Sequence, residues 1–242
     1  MTGVQTCALP ISSPARADIY VLCPSAANQN GSGLYTFTSV AGTPICANSA
    51  VKIDIPTEGD YARLMWDSTV AAYPAGLTLG NLAGLSADVI FTGQPGDQPY
   101  YMLAFTDNAK SLGQAAAGDQ ILMLEFQNTG NLSGNTMTFN PNTTLVNLFD
   151  NFTGTYLQGG QQDAKTLAGW LAADSSLASE SLQQVRTAIG LAGGGILPES
   201  LTVNSLTITS AVPEPTSLLL LLTVVGATGL GIRRKQARNP RG

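Results

Sequence analysis

Residues 216–232 (TSLLLLLTVVGATGLGI) carry no charge, and they end on Arg233, Arg234 and Lys235. Wound as a helix rising ~1.5 Å per residue, such a run spans roughly 25 Å, just adequate for the hydrocarbon core of a bilayer. Basic residues flanking a span stay on the cytoplasmic side, so whatever precedes the span is expected to fold outside. Val212, Pro213, Glu214 and Pro215 stand at the junction. Proline lacks an amide hydrogen and clashes with the preceding turn, so the helix is not expected to run back through them. The residue before each proline is pushed toward extended backbone as well. The junction is therefore expected to be kinked, extended and open to a protease.

The body ahead of this tail is acidic. Five of the eleven basic residues fall in the last ten positions: Arg233, Arg234, Lys235, Arg238 and Arg241. Residues 18–211 hold 15 acids and 5 bases, a net charge of −10. Such a body repels a phosphate backbone, and nucleic acid is not expected as a partner. Charged residues make up 11% of the chain, against ~25% in ordinary soluble domains. Low charge with abundant Gly, Asn, Thr and Ser fits an exported all-β protein better than a cytosolic enzyme. Histidine is absent from the sequence. That removes Ser-His-Asp and Cys-His catalysis and the usual imidazole metal sites.

The other end has a different character. Residues 1–11 (MTGVQTCALPI) resemble the translation of a sequencing-library adapter, since GVQTCALPI reads back as GGA GTT CAG ACG TGT GCT CTT CCG ATC. On that reading Cys7 belongs to no fold and the native start is missing. Residues 12–17 are then the remnant of a signal peptide. Ala15-Arg16-Ala17 is a small-x-small triplet of the form that signal peptidase cuts, which makes Asp18 the first residue of the mature protein. With Cys7 set aside, Cys23 and Cys46 remain. An even count in an exported chain predicts one disulfide. Closing a loop of about two dozen residues stabilises by roughly 3 kcal/mol on the loop-entropy model.

The order of Pro-Glu-Pro element, apolar span and basic cluster, over residues 212–241, resembles the PEP-CTERM sorting signal. The resemblance implies that an exosortase, an integral-membrane cysteine protease, recognises Pro213, Glu214 and Pro215 and removes the tail. It implies that Arg233, Arg234 and Lys235 act as the membrane stop. It also implies a route: a transient hold in the inner membrane, then the cell surface or extracellular matrix of a Gram-negative bacterium that makes exopolysaccharide.

Residues 18–211 read as short strands broken by turn residues. Strands are predicted at 19–22, 34–40 and 51–55, and most strongly at 88–92 (DVIFT), 100–105 (YYMLAF) and 121–126 (ILMLEF). Residues 130–134 form a hairpin turn into a strand at 136–139, and the alternating run 201–209 (LTVNSLTIT) closes the fold. Residues 161–173 place Ala164, Leu167, Ala168 and Leu171 on one face and predict a helix. Residues 182–192 fit helix or strand. Strand is favoured, with Gly193-Gly194-Gly195 turning it back as an antiparallel partner of the last strand. About nine strands and one short helix imply an all-β fold, a jelly-roll-like antiparallel β-sandwich, ahead of a C-terminal transmembrane helix at 216–232.

Sugar-binding surfaces use exposed rings, because a pyranose face stacks on them. Tyr100 and Tyr101 alternate across a strand, so one ring should point outward; with Trp66 they are the expected platform, and Tyr73 and Trp170 are further candidates. Core packing is the competing role for each tryptophan. A glycosidase needs two carboxylates ~5–10 Å apart. Glu125 with Asp119, Asp107 or Asp67 could supply them, but no spacing brings two together, and no catalytic residue is assigned. Calcium is the ion that the exterior offers to oxygen ligands, here Asp54, Glu58 and Asp60, or Asp107 and Asn108. No EF-hand pattern accompanies them, and neither metal site nor cofactor is assigned. Asn30, Asn131, Asn142 and Asn151 begin N-x-S/T sequons and read as polar loops. The expected function is that of an exported noncatalytic surface or matrix protein, processed by signal peptidase and exosortase, with exopolysaccharide as its ligand. The alternative is an exported carbohydrate-active enzyme that works with two carboxylates.

Overall fold

The computed structural model describes residues 17–38, 46, 49–56, 60–93, 98–106, 120–125, 132–157, 163–190 and 199–211. The expected sorting motif Val212, Pro213, Glu214 and Pro215, the expected span at 216–232, and the expected stop Arg233, Arg234 and Lys235 lie outside them. So do Cys7, Ala15, Glu58, Asp107, Asn108, Asp119, Asn131 and the glycines at 193–195. Among the described residues no helix is long and apolar enough to cross a membrane.

The described chain is built of strands. They are β1 (Ala17–Leu22), β2 (Asn28–Gly31), β3 (Leu34–Thr38), β4 (Ala50–Ile55), β5 (Ala62–Asp67), β6 (Leu82–Thr92), β7 (Tyr100–Thr106) and β8 (Gln120–Glu125). There follow β9 (Leu132–Ser133), β10 (Thr136–Phe139), β11 (Leu145–Asp150), β12 (Thr155–Tyr156) and β13 (Lys165–Thr166). A short helix α1 (Leu167–Ala173) comes next, and β14 (Leu182–Ile189) and β15 (Glu199–Ala211) complete the order.

These strands form two sheets. The seven-stranded sheet runs β3-β4-β15-β6-β10-β9, with β1 also paired to β15. The eight-stranded sheet runs β12-β11-β8-β7-β14-β5-β2, with β13 also paired to β11. The sheets share one buried core. Val51, Leu85, Val89, Met137, Leu201 and Ile208 enter it from the first sheet, and Leu64, Trp66, Tyr101, Leu103, Val185 and Leu148 from the second. The Tyr101 hydroxyl donates to the Met137 carbonyl oxygen at 2.9 Å, a bond from one sheet to the other. The described chain is thus an all-β sandwich of mostly antiparallel sheets with one helix.

Local sequence explains most elements. β15 is rich in Thr, Val and Ile, which suit a pleated surface flanked on both sides; it pairs antiparallel with β4 and β6, its register shifting twice along β6. It is an interior strand of its sheet. β5 (ARLMWD) alternates between buried and half-buried positions. Gly134 takes φ 58° at the turn of the β9–β10 hairpin, a conformation that glycine adopts without steric penalty.

Several expectations need correction. The helix does not run from 161: Lys165 and Thr166 form β13 against β11, and α1 begins at Leu167. The reason is Thr166, which caps α1 by accepting from the Gly169 amide at 3.0 Å. The polar stretch around Asn28 is a strand, β2, paired with β5, so Asn30 sits in a strand and not a loop. Residues 182–189 are a strand as read, but β14 pairs with β5 and β7, whereas β15 belongs to the opposite sheet. The expected β14–β15 hairpin therefore does not form. The chain leaves β14 through Gly190 at φ 75°, where a Cβ would stand 2.5 Å from the Asp60 carbonyl oxygen. β5, β11, β12 and β13 were not foreseen.

Cys23 and Cys46 form a disulfide, their Cα atoms 5.3 Å apart and 23 residues apart in sequence. It ties the end of β1 to the approach to β4. Replacing Cys46 by Ser should lower unfolding stability by roughly 3 kcal/mol. Urea melts of the oxidised protein check this, and a reductant added to the variant should then change nothing further.

Candidate functional site

Side chains alternate across a strand, so each strand of the eight-stranded sheet shows one set to the core and one to the outer face. β5 sends Leu64 and Trp66 inward, β7 sends Tyr101, Leu103 and Phe105, and β14 sends Val185 and Ile189. The opposite set lines up by register. Asn28, Met65, Arg186 and Met102 form one row across β2, β5, β14 and β7. Asn30, Arg63, Ala188 and Tyr100 form the next. Asp67, Gln184 and Ala104 form the third. Tyr100, Met102, Ala104 and Ala188 pack together there, with Phe149 of β11 against them.

Rings edge this face. Phe149 and Tyr156 meet edge-on, centroids 5.2 Å apart at 69°. Tyr61, just ahead of β5, carries the Arg63 guanidinium 4.6 Å above its centroid. Tyr61 and Tyr156 are each 37% exposed. Between them Tyr100 is 5% exposed, and its hydroxyl donates to the Gly190 carbonyl oxygen at 3.2 Å. Burial pushes its phenol up to about 12; Arg63 pulls it down, and Tyr61 and Tyr156 raise it further. Near neutral pH the hydroxyl is therefore a proton donor. Arg63 shares a row with Tyr100, Tyr61 packs on Arg63, and Phe149, with Tyr156 against it, packs on the cluster that holds Tyr100.

Arg186 sits in the middle row, 5% exposed. Its Nε donates to Gln184 Oε1 at 2.8 Å, and Gln184 Nε2 donates to Asp67 Oδ2 at 3.3 Å. Burial, and then the charge of Arg63, lower the Arg186 pKa to about 10. Asp67 is fully engaged: Oδ2 also accepts from Asn28 Nδ2, and Oδ1 accepts from the Thr69 amide and hydroxyl at 2.9 and 2.6 Å. It braces a turn.

The expected platform is not where the sequence placed it. Trp66 is 0% exposed and donates from Nε1 to the Cys23 carbonyl at 3.3 Å. Tyr101 faces the core. Tyr100 does point outward, yet it is buried, so none of the three offers an open ring. Trp170 is buried as well, donating from Nε1 to the Val146 carbonyl at 2.9 Å. Burial also raises the Tyr73 phenol, whose hydroxyl donates to the Leu182 carbonyl at 2.7 Å. Among the described residues the exposed rings are Tyr61, Tyr156 and Phe152. A signal for Tyr61 was present: it precedes an alternating run in phase with Arg63.

The remaining candidates are dispersed. Asp54 pairs with Lys52 at 2.6 Å on β4, in the other sheet from Asp67. Glu125 closes β8, where only its backbone is described. Among the described residues no group of three or more His, Cys, Asp or Glu side chains could hold a metal ion. Ala17 and Asp18 open β1, and Asn142 and Asn151 stand in turns.

No protein-family model matches the chain, and no curated protein does. Among solved structures, the chain is similar to a low-affinity xylan-binding module from the gut symbiont Roseburia intestinalis, at 10% identity and a TM-score of 0.39, over 80% of this chain and 96% of that one.

Proposed function

We propose that this is a noncatalytic protein of the bacterial surface or extracellular matrix that binds polysaccharide on the outer face of its eight-stranded sheet. The observation that carries the reading is the set of rings on one face, Tyr61 against Arg63, Phe149 against the cluster of Tyr100, and Tyr156 against Phe149, with Arg63 in the row of Tyr100 and Arg186 in the row beside it. Rings present apolar faces for the C–H faces of sugars, and guanidinium groups meet hydroxyls with fixed donors. A jelly-roll-like sandwich holds such a face rigid. Export with signal-peptidase cleavage after Ala17, a transient stay in the inner membrane and release by exosortase complete the proposal. The acid on this face, Asp67, braces a turn, and that weighs against a two-carboxylate hydrolase working here.

A glycan array, paired with a hydrolysis assay on the polysaccharides it selects, tests this. Binding without product release is expected. Tyr61→Ala and Tyr156→Ala should each weaken binding about tenfold, the scale of one lost ring contact. Both rings are partly exposed, so the melting temperature should hold. Release of sugar, or undiminished binding by both variants, would sink the reading.

A further inference from the structure

We propose that Arg186 and Arg63 form an oxyanion site on this face, and that it takes the carboxylate of a sparsely acidic polysaccharide, a lone uronate among neutral sugars. The inference rests on the binding reading above and names its ligand class. Arg186 is a nearly sealed cation. Its Nε is bonded to Gln184, and among the described residues no carboxylate stands within ion-pair distance of Arg186 or Arg63; the pair found there is Lys52 with Asp54 in the other sheet. The sealed and unbonded nitrogens include Arg63 Nε but none of Arg186, so the terminal N–H groups of Arg186 keep their opening to the outside. Asn147 Oδ1, at the far end of the same row, is also sealed without a partner.

A buried charge without a counter-ion is unfavourable, and a second cation beside it makes it more so. The fold holds two like charges side by side where a carboxylate would relieve both. A guanidinium fork matches a carboxylate with two parallel hydrogen bonds, a geometry that hydroxyls reproduce poorly. Tyr61 packs on Arg63 and Tyr156 stands on the far edge strand β12, where the neutral sugars flanking a uronate would stack. The body's charge of −10 over residues 18–211 sets the other limit. A dense polyanion meets that repulsion along its whole length. An isolated carboxylate beside two arginines does not, since surface charges farther than ~8 Å are screened at physiological salt.

Calorimetric titration of the secreted protein decides it. The probes are a tetrasaccharide with one glucuronate and the same tetrasaccharide with its carboxylate reduced to the alcohol. Wild type should bind the acid form about tenfold tighter or more, as expected for a charge-assisted pair. Arg186→Met should bring the two affinities together, and Arg186→Lys should restore only part of the difference. The melting temperature of Arg186→Met should hold or rise, because an unpaired buried charge has gone. Equal affinity of wild type for both sugars, with Tyr156→Ala still impaired, overturns the oxyanion site and leaves the binding reading standing. Binding of neither sugar by wild type overturns both. A fall in the melting temperature of Arg186→Met also overturns the site, since the buried guanidinium would then be stabilising with no carboxylate bound.

Discussion

Trp66→Ala is expected to leave the sandwich close to unfolding at 37 °C. The side chain is 0% exposed, on β5 between β2 and β14, and it belongs to the core that both sheets share. Removing a buried tryptophan costs about 3–5 kcal/mol, part transfer free energy and part cavity. The indole N–H also donates to the Cys23 carbonyl at 3.3 Å, and losing that bond adds about 1 kcal/mol. A domain of this kind holds about 5–15 kcal/mol in total, so one substitution removes a large share. In urea the midpoint should fall while the slope stays constant, the mark of lost stability without a change in exposed surface. Trp66→Phe should recover most of the loss. Tyr156→Ala, with its ring at the surface, should move the midpoint little. A loss under about 1 kcal/mol for Trp66→Ala would mean that the cavity collapses or that the ring does not lie between the sheets.

This tryptophan shows where sequence stops informing on place. Alternation told that Tyr100 and Tyr101 point to opposite faces, and they do. It could not tell that the outward face is itself covered enough to bury Tyr100. The strands read most clearly were β6, β7 and β8, whose apolar runs carry little charge. β5 and β11 escaped because Arg63, Asp67, Asn147 and Asp150 interrupt their apolar pattern. Arg63, Asp67 and Asn147 lie on the outer face, so residues that hide these strands also build the candidate site. The partner of β14 was illegible for another reason. A glycine-rich turn is a local signal, whereas pairing with β5, more than a hundred residues earlier, is set by the burial of both strands in one core. The disulfide was readable once Cys7 was set aside in a chain read as exported, because pairing the two remaining thiols leaves no choice.

The largest effect on fate rather than stability is expected from the tail. Pro213→Ala/Pro215→Ala should keep residues 212–242 attached in a host that carries exosortase, where the unaltered chain is expected to lose them. On the sorting proposal, the two prolines would keep the junction out of the helix expected after it, through the missing amide and the steric clash with the preceding turn. Alanine does the reverse: it has the highest helix propensity, and the apolar run that follows can nucleate a helix that extends back into the junction. A protease that reads an extended Pro-Glu-Pro element then meets neither its side chains nor its backbone shape. Intact-mass analysis separates the cases, with the unaltered chain truncated only where exosortase is present and the double variant full-length in both hosts. Glu214→Gln sharpens the test, since it keeps both prolines and removes only the charge. If its processing matches the unaltered chain while the double variant resists, backbone shape is the recognised feature. Processing of all three to the same mass, with or without the enzyme, would mean that some other protease opens a proline stalk, and the sorting proposal would fail while the sandwich and its ring-edged face remained.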